Sequence, residues 1–357
     1  MIEITECIMS LLPPLTIRLC SPRGFCAGVD RAIQIVILAL KKYGAPVYVR
    51  HEIVHNRYVV EGLQQRGAVF VEELDEIPEK HRGQPVVFSA HGVPKSVSEK
   101  ASLYNLFYLD ATCPLVSKVH KQAIRHQRHG RHVILIGHSG HPEVIGTMGQ
   151  LEKGAVTLIE TVEDALYYQP ENPNKLGFVT QTTLSVEDTA GILDVLQKRF
   201  PALESPATES ICYATTNRQE AVKAAALGSD LFLIVGSSNS SNARRLVEVA
   251  ERFGARQSIL VQRADDIDFD RLGTLSVISL SAGASAPEII VDEIITAFRK
   301  RYNVKIELAE TAVETQQFLV NRELRDVILT PQDMAFVSGG VKTGRNDDTQ
   351  MLKIEEK

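Results

Sequence analysis

The chain has 357 residues, with 39 Lys and Arg against 44 Asp and Glu, which gives a formal net charge of −5. With 44% hydrophobic and 23% charged residues it has the composition of an ordinary globular protein, and its length suits two or three domains. This balance excludes disorder of the whole chain. It also disfavours nucleic-acid binding, which requires Lys and Arg clustered on one face.

The sequence shows no signal for a membrane. Its longest clean apolar run, from Ile35 to Leu40, is far shorter than the roughly 18–20 residues that a spanning helix requires. The N-terminal region carries Glu3 and Glu6 where a secretory signal carries Lys or Arg. We therefore predict a cytoplasmic protein, in which the five cysteines are ligands, catalytic groups or core residues rather than disulfides.

Three of the cysteines stand at equivalent places in a repeated pattern. Cys26, Cys113 and Cys212 each precede a predicted helix, and a β-rich run ends in a polar loop about 28 residues after each of them. A second strand and polar loop follow 36 to 45 residues further on. In chain order the polar loops are Val54–Asn56, Ser89–Gly92, Gly137–Glu143, Thr180–Thr183, Gly236–Asn242 and Ser281–Ser285.

Helix-start signals follow several of these loops. Pro114 suits a first helical turn, Ser185 and Asp188 have the spacing of an N-terminal cap, and Pro287 marks another start. Thr216 and Gln219 have the spacing of a capping box and predict a helix that begins near Thr216.

Strands that alternate with helices predict α/β domains with parallel or mostly parallel sheets. We predict three similar α/β domains around a pseudo-threefold axis, a trefoil, at residues 30–110, 111–209 and 210–302. An N-terminal segment with the first strand (1–29) precedes them, and a C-terminal extension (303–357) follows. Ligands of open α/β sheets bind beyond the carboxyl ends of the strands, so one central site is expected. Three independent domains without a shared site are the alternative.

A single cysteine is most often a small buried hydrophobe, but three at equivalent positions indicate a metal centre. Three thiolates suit an iron-sulfur cluster, whose four-iron form normally takes four cysteines. One iron would then stay open to bind a substrate oxygen. Zinc held by three cysteines and a water is the competing metal. Cys7 and Cys20 have no counterparts in the other repeats, and we predict that both are structural.

The polar loops combine helix N-termini, which bind anions, with side-chain hydrogen-bond donors. This set suits a small diphosphate and comprises His55, His91, His141, Ser240, Ser241, Asn242 and Ser285. Helix capping by the Ser and Asn residues is the simpler alternative.

Glu143 is the only carboxylate within the repeated loops. We predict that it is the proton donor, with a pKa raised by burial beside an anionic ligand. Thr182 would pass a proton or orient the substrate hydroxyl. A solvated surface carboxylate is the alternative for Glu143.

From about Thr16 to Tyr302 the sequence resembles the LytB (IspH) family, the 4-hydroxy-3-methylbut-2-enyl diphosphate reductases of the non-mevalonate isoprenoid pathway. The resemblance rests on these segments: Pro22–Asp30 (PRGFCAGVD), Tyr48–Val60 (YVRHEIVHNRYVV), Ser89–Val93, Asp110–Val116, Gly140–Glu143, Thr180–Ser185, Ile211–Glu220 and Ser281–Pro287.

The resemblance implies a three-domain α/β trefoil that holds an oxygen-sensitive [4Fe-4S] cluster on Cys26, Cys113 and Cys212, with one iron not bound by cysteine. It also implies reductive removal of an allylic hydroxyl in the last step of the pathway, with electrons from a ferredoxin or flavodoxin-type donor. Glu143 and His141 would then deliver protons. The implied diphosphate pocket comprises His55, His91, His141, Thr182, Thr183, Ser240, Ser241, Asn242 and Ser285.

Two other classes of protein fit the same residues. A cluster-dependent hydratase would use the open iron and the acid but would need no reductant. An iron-sulfur sensor would keep the cysteines and tolerate loss of Glu143 and of the serine-rich loops.

Overall fold

The computed structural model describes residues 12–339 and 350–351. The strands are β1 (Pro14–Ser21), β2 (Val47–Arg50), β3 (Ala68–Val71), β4 (Val86–Phe88), β5 (Tyr108–Asp110), β6 (His132–Ile136), β7 (Val156–Ile159), β8 (Leu176–Thr180), β9 (Leu231–Val235), β10 (Ser258–Val261), β11 (Val277–Ala282), β12 (Asn303–Glu310) and β13 (Gln350–Met351).

The α-helices alternate with these strands. They are α1 (Ala27–Tyr43), α2 (Arg57–Gln64), α3 (Lys95–Leu103), α4 (Pro114–Arg128), α5 (Pro142–Met148), α6 (Val162–Tyr167), α7 (Val186–Arg199), α8 (Tyr213–Ala226), α9 (Ser241–Arg252), α10 (Glu288–Arg299) and α11 (Pro331–Val337). Within the described ranges, no helix is long and apolar enough to cross a membrane.

The chain divides into two compact units. The first contains residues 12–26, Ala214–Gln316 and the described residues from Pro331 onward. Its sheet is parallel and has the strand order β10-β9-β11-β1-β12-β13. The first strand of the chain therefore lies inside this sheet, where Ile17 pairs with Ile278 on one side and with Ile306 on the other.

The second unit contains Ala27–Tyr213 and Gln317–Thr330. It has two parallel sheets, one with the strand order β3-β2-β4-β5 and one with the order β7-β6-β8. The predicted α/β class with parallel sheets is confirmed. The domain boundaries at residues 30, 111, 210 and 303 stay predictions.

Strands β8 and β9 are buried along their whole length, without alternation between buried and exposed residues. Every residue of β9 (LFLIV) and of β8 (LGFVT) is buried, the pattern typical of parallel strands between layers of helices. Burying a Val, Leu, Ile or Phe side chain contributes about 1.5–3 kcal/mol each. These strands therefore form a stable frame, and the loops that follow their carboxyl ends are held by it.

Most of the predicted helix starts agree with the structure. Pro114 is the first residue of α4, Ser185 caps α7 through a 3.1 Å bond from the Asp188 N–H, and Pro287 precedes α10. The start near Thr216 was wrong, because α8 already begins at Tyr213. The N–H of Cys212 is bound to the carbonyl of Thr182 at 3.1 Å, and the helix follows this anchor directly.

Candidate active site

Each of the three repeated cysteines lies at the start of a helix. Cys26 directly precedes α1, Cys113 is the N-cap of α4, and Cys212 directly precedes α8. All three are half-buried thiols, whereas Cys20 is fully buried in the core of the first unit. In the described ranges, no group of three or more His, Cys, Asp or Glu side chains is spaced to hold a single metal ion.

The backbone of each cysteine makes the same hydrogen bond. The N–H of Cys26 donates to Ala284 O at 3.2 Å, that of Cys113 to Ala90 O at 3.0 Å, and that of Cys212 to Thr182 O at 3.1 Å. Each acceptor lies two residues after the end of a strand, namely β11, β4 and β8. The repeat predicted from the sequence is therefore present in the backbone hydrogen bonds.

The residue after each acceptor also corresponds between the repeats, and it is His91, Thr183 or Ser285. The strand ends therefore make Thr183, and not Thr182, the counterpart of His91 and Ser285. Thr183 is half-buried and accepts a 2.8 Å hydrogen bond from Gln181 Nε2, and Ser285 is buried.

The polar loops after β2, β6 and β9 also correspond to one another in position. The residue five places after the strand end is His55 after β2, His141 after β6 and Ser240 after β9. His141 and Ser240 are N-caps, of α5 and α9 respectively. The Ser240 hydroxyl accepts the N–H of Ala243 at 3.4 Å, so helix capping accounts for part of its role.

In two of these loops, the side chain two residues further on accepts a hydrogen bond from the loop that follows a neighbouring strand. Glu143 Oε1 accepts the N–H of Thr182 at 2.7 Å, and Asn242 Oδ1 accepts the N–H of Ala284 at 2.9 Å. These are equivalent bonds in two repeats, since Thr182 and Ala284 are also the acceptors for the cysteine N–H groups. The same frame therefore holds a carboxyl group in the second unit and an amide in the first.

Glu143 is a buried acid with 2% of its surface exposed. Its second oxygen, Oε2, accepts the hydroxyl of Thr182 at 2.9 Å. Burial raises the pKa of Glu143 to about 7, although the two bonds from Thr182 act in the opposite direction. The carboxyl group is therefore able to hold a proton near neutral pH, and the surface alternative for Glu143 was wrong.

The three predicted histidines form a cluster in the second unit. The His55 and His91 rings stack with centroids 4.2 Å apart, and the His141 ring stands edge-on at 6.0 Å from both. Desolvation and the neighbouring imidazoles lower the pKa of His91 well below its usual value. The cluster therefore combines closely spaced donors with at least one ring that stays neutral.

A glycine allows the close packing of the His91 loop. Gly92 has φ 82°, and a Cβ at this position would lie 2.7 Å from Cε1 of His120. Burial lowers the pKa of His120 to about 4, so this ring is neutral where it packs against the loop.

The first unit has its own cluster of buried serines with an amide. Ser240, Ser241 and Asn242 are all at most 5% exposed. Among the described residues, Asn242 Nδ2 is buried and has no hydrogen-bond partner. A buried donor without an acceptor costs free energy, and an anionic ligand would satisfy it.

One structural support was missed in the sequence. Arg218 is completely buried, donates to the Gly24 carbonyl at 2.6 Å just before Cys26, and pairs with Glu314 at 2.9 Å. Arg23 in the same loop pairs with Glu288. Arg218 belongs to one of the segments that carry the family resemblance, but only the fold brings Gly24 and Glu314 to it.

These features define an α/β protein in which thiols, imidazoles and a buried acid follow the carboxyl ends of parallel strands. A model of the LytB protein family matches residues 17–299, and the chain belongs to that family.

Proteins of several bacteria are similar to this chain over nearly its whole length. A protein of Bartonella quintana is 87% identical over 338 residues, which cover 95% of this chain and 99% of the relative. A protein of Brucella anthropi is 79% identical over 327 residues, which cover 92% and 93% respectively. Both are named 4-hydroxy-3-methylbut-2-enyl diphosphate reductase. A solved structure, the E-1-hydroxy-2-methyl-but-2-enyl-4-diphosphate reductase from Plasmodium falciparum, has 36% identity, a TM-score of 0.83 and coverage of 87% of this chain and 97% of that one.

The raised pKa of Glu143 predicts a pH-dependent stability difference in the variant Glu143→Gln. The pKa of the carboxyl is near 4.3 in the unfolded chain and about 7 in the folded protein. Its contribution to the free energy of unfolding is therefore fully present below about pH 4.3 and is lost as the pH rises to about 7. The wild type loses this contribution between about pH 4 and about pH 8, and Glu143→Gln does not. The difference in unfolding free energy between the two proteins should therefore shift by a few kcal/mol in favour of the variant over this range. Denaturant titrations would measure this, and an equal difference at both pH values would contradict it.

Arg218→Met should destabilise the first unit strongly. The change leaves Glu314 without its buried cation and Gly24 O without its donor, and breaking a buried pair costs about 3–5 kcal/mol. Lys198→Met is the control because its pair with Asp194 is exposed, so a much smaller change is expected. Urea unfolding of both variants would test this, and similar losses would exclude a special role for Arg218.

Proposed function

We propose that the chain is a 4-hydroxy-3-methylbut-2-enyl diphosphate reductase. It would remove the allylic hydroxyl of this substrate as water and yield isopentenyl and dimethylallyl diphosphates. The observation that carries the proposal is the buried carboxyl of Glu143, with a pKa of about 7, in a chain of the LytB family. The names of the relatives support the same substrate.

The thiols of Cys26, Cys113 and Cys212 fit an iron-sulfur cluster. Each lies at a helix start, where the helix dipole favours the thiolate form that binds metal. Cys20 does not fit, because burial raises the pKa of its thiol to about 12. When bound, a [4Fe-4S] cluster with one iron not held by cysteine supplies electrons and a Lewis acid.

The diphosphate would be held by neutral and cationic donors. His55, His91, His141 and Thr183 would supply some of these donors. Ser240, Ser241, Asn242 and Ser285 are the others that the family resemblance implies. Buried hydroxyl and amide donors that are set in a rigid frame bind an anion without first being reorganised. The buried Nδ2 of Asn242, which has no acceptor in the described part of the chain, supports this assignment.

Glu143 would protonate the leaving hydroxyl, with Thr182 orienting both groups. The Thr182 hydroxyl lies 2.9 Å from Glu143 Oε2 and would also hydrogen-bond the substrate oxygen. His141 would assist, since its ring touches the same helix start through the 3.1 Å bond from the Glu143 N–H to Nδ1. In total the substrate takes up two electrons and two protons, a C–O bond breaks, a C–H bond forms and water leaves.

The two electrons would come from a ferredoxin or flavodoxin-type protein. Dependence on a reductant separates this reaction from that of a hydratase. Dependence on Glu143 separates it from the role of a sensor.

Glu143→Gln should lower turnover of the allylic diphosphate by about 100-fold or more, the usual weight of a positioned acid. The substrate KM should change little, and wild-type kcat should fall as the pH rises through about 7 because the acid then loses its proton. Anaerobic assays with a low-potential reductant would measure this.

Glu163→Gln is the matched control for Glu143→Gln. Glu163 occupies the same position in the first turn of α6 as Glu143 does in α5, but it is exposed. Near-normal turnover in Glu143→Gln would remove Glu143 from the role of proton donor.

Cys113→Ser should abolish cluster binding, and Cys20→Ser should not. Cys20 packs among apolar side chains and its Sγ donates to Ala221 O at 3.4 Å, so a serine there affects only packing. Iron and sulfide analysis and electron paramagnetic resonance of anaerobically purified protein would test this. Zinc in place of iron, or equal iron in both variants, would contradict the cluster assignment.

A further inference from the structure

The three clustered imidazoles are not equivalent, because each has a different hydrogen-bond partner. Their rings lie 4.2 to 6.0 Å apart, so positive charge on one ring disfavours charge on the others. At most one ring in such a cluster is expected to carry a full charge near neutral pH. The surrounding residues decide which ring it is.

His141 and His91 are both held neutral. The backbone N–H of Glu143 donates to Nδ1 of His141 at 3.1 Å, which leaves the ring proton of His141 on Nε2. Nδ1 of His91 lies 3.4 Å from the uncharged hydroxyl of Ser89, and the loss of hydration in the packed loop lowers the pKa of His91 well below its usual value. Neither ring is therefore suited to be the cation of the cluster.

His55 differs because a carboxylate faces it. Nδ1 of His55 lies 3.0 Å from Oε2 of Glu52, three residues earlier in the same loop. The carboxylate accepts the Nδ1 proton, and the contact becomes an ion pair once the ring takes a second proton on Nε2. The side chain of Glu52 is 40% exposed and that of His55 is 15% exposed, so solvent screens this pair only in part.

The backbone fixes the loop that carries this pair. His51 has φ 59°, a left-handed conformation that is uncommon for a residue other than glycine, and its N–H donates to Val71 O at 2.8 Å. After the loop, Asn56 caps α2 by accepting the N–H of Val59. Glu52 and His55 therefore lie between two anchored points.

We propose that Glu52 is a positioning residue that makes His55 the cationic member of the histidine cluster when a diphosphate binds. Its carboxylate holds the Nδ1 proton, and Nε2 takes the second proton and donates it to an oxygen of the anion. Glu52 itself does not touch the ligand. This role rests on the proposed function, because only an anionic substrate needs a cation at this point.

The test compares Glu52→Gln with the wild-type holoenzyme, using inorganic diphosphate as the probe and titration calorimetry as the measurement. A glutamine still accepts the Nδ1 proton but carries no charge. The affinity of Glu52→Gln should be about tenfold weaker at about pH 8 and nearly normal at about pH 6, where the solution supplies the second proton. In turnover of the allylic diphosphate, KM should rise while kcat stays near the wild-type value.

Glu61→Gln is the matched control. Glu61 pairs with Arg57 at 2.6 Å in the helix that follows the loop, and both side chains are exposed. This variant should bind diphosphate like the wild type at both pH values.

Unchanged affinity of Glu52→Gln at about pH 8 would overturn the proposal. Equal weakening at both pH values would also overturn it, because a packing role does not depend on proton supply. If the pH-dependent loss appears but the wild type does not turn over the allylic diphosphate, the reductase proposal fails and the role of Glu52 stands.

Discussion

Two hydrogen bonds from Thr182 to the carboxyl group of Glu143 connect the start of α5 with the loop after β8. Both residues of this pair also hydrogen-bond other residues of the candidate site in the second unit. The Thr182 carbonyl accepts the N–H of Cys212, and the Glu143 N–H donates to His141. An acid, a thiol and an imidazole are thus linked within a few bonds. The cost of burying a carboxyl group is offset because the same contacts order its neighbours.

The first unit repeats this frame with a different side chain. Asn242 accepts the N–H of Ala284, and the Ala284 carbonyl accepts the N–H of Cys26. The backbone geometry is the same in both units, so the identity of one residue decides whether the frame presents an acid or an amide donor. Equivalent positions of the repeated frame therefore carry different chemistry in the two units.

The repeat in the sequence predicted the regular part of the structure well. Strand ends, most helix starts and the residues that follow them are local features, and local hydrophobic and capping patterns determine them. The burial of Glu143 and a role for Thr182 beside it were predicted, but the two hydrogen bonds between them were not, because the two residues are far apart in the chain. Arg218 was missed for the same reason, since its partners lie near residues 24 and 314. Cys20 is buried in the core, which is consistent with the structural role predicted for it, and Cys7 lies outside the described residues.

The position of β1 inside the six-stranded sheet has a consequence for synthesis on the ribosome. β1 is among the first segments to emerge, but its neighbours β11 and β12 begin at Val277 and Asn303. Pairing across such a distance in sequence is slow and has to wait until most of the chain has been translated. The segment Ala27–Tyr213, which carries both sheets of the second unit, can fold earlier, and Gln317–Thr330 joins that unit later. Because the bond from the Cys26 N–H to Ala284 O also needs the loop after β11, Cys26 is the last of the three cysteines to gain its backbone hydrogen bond during synthesis.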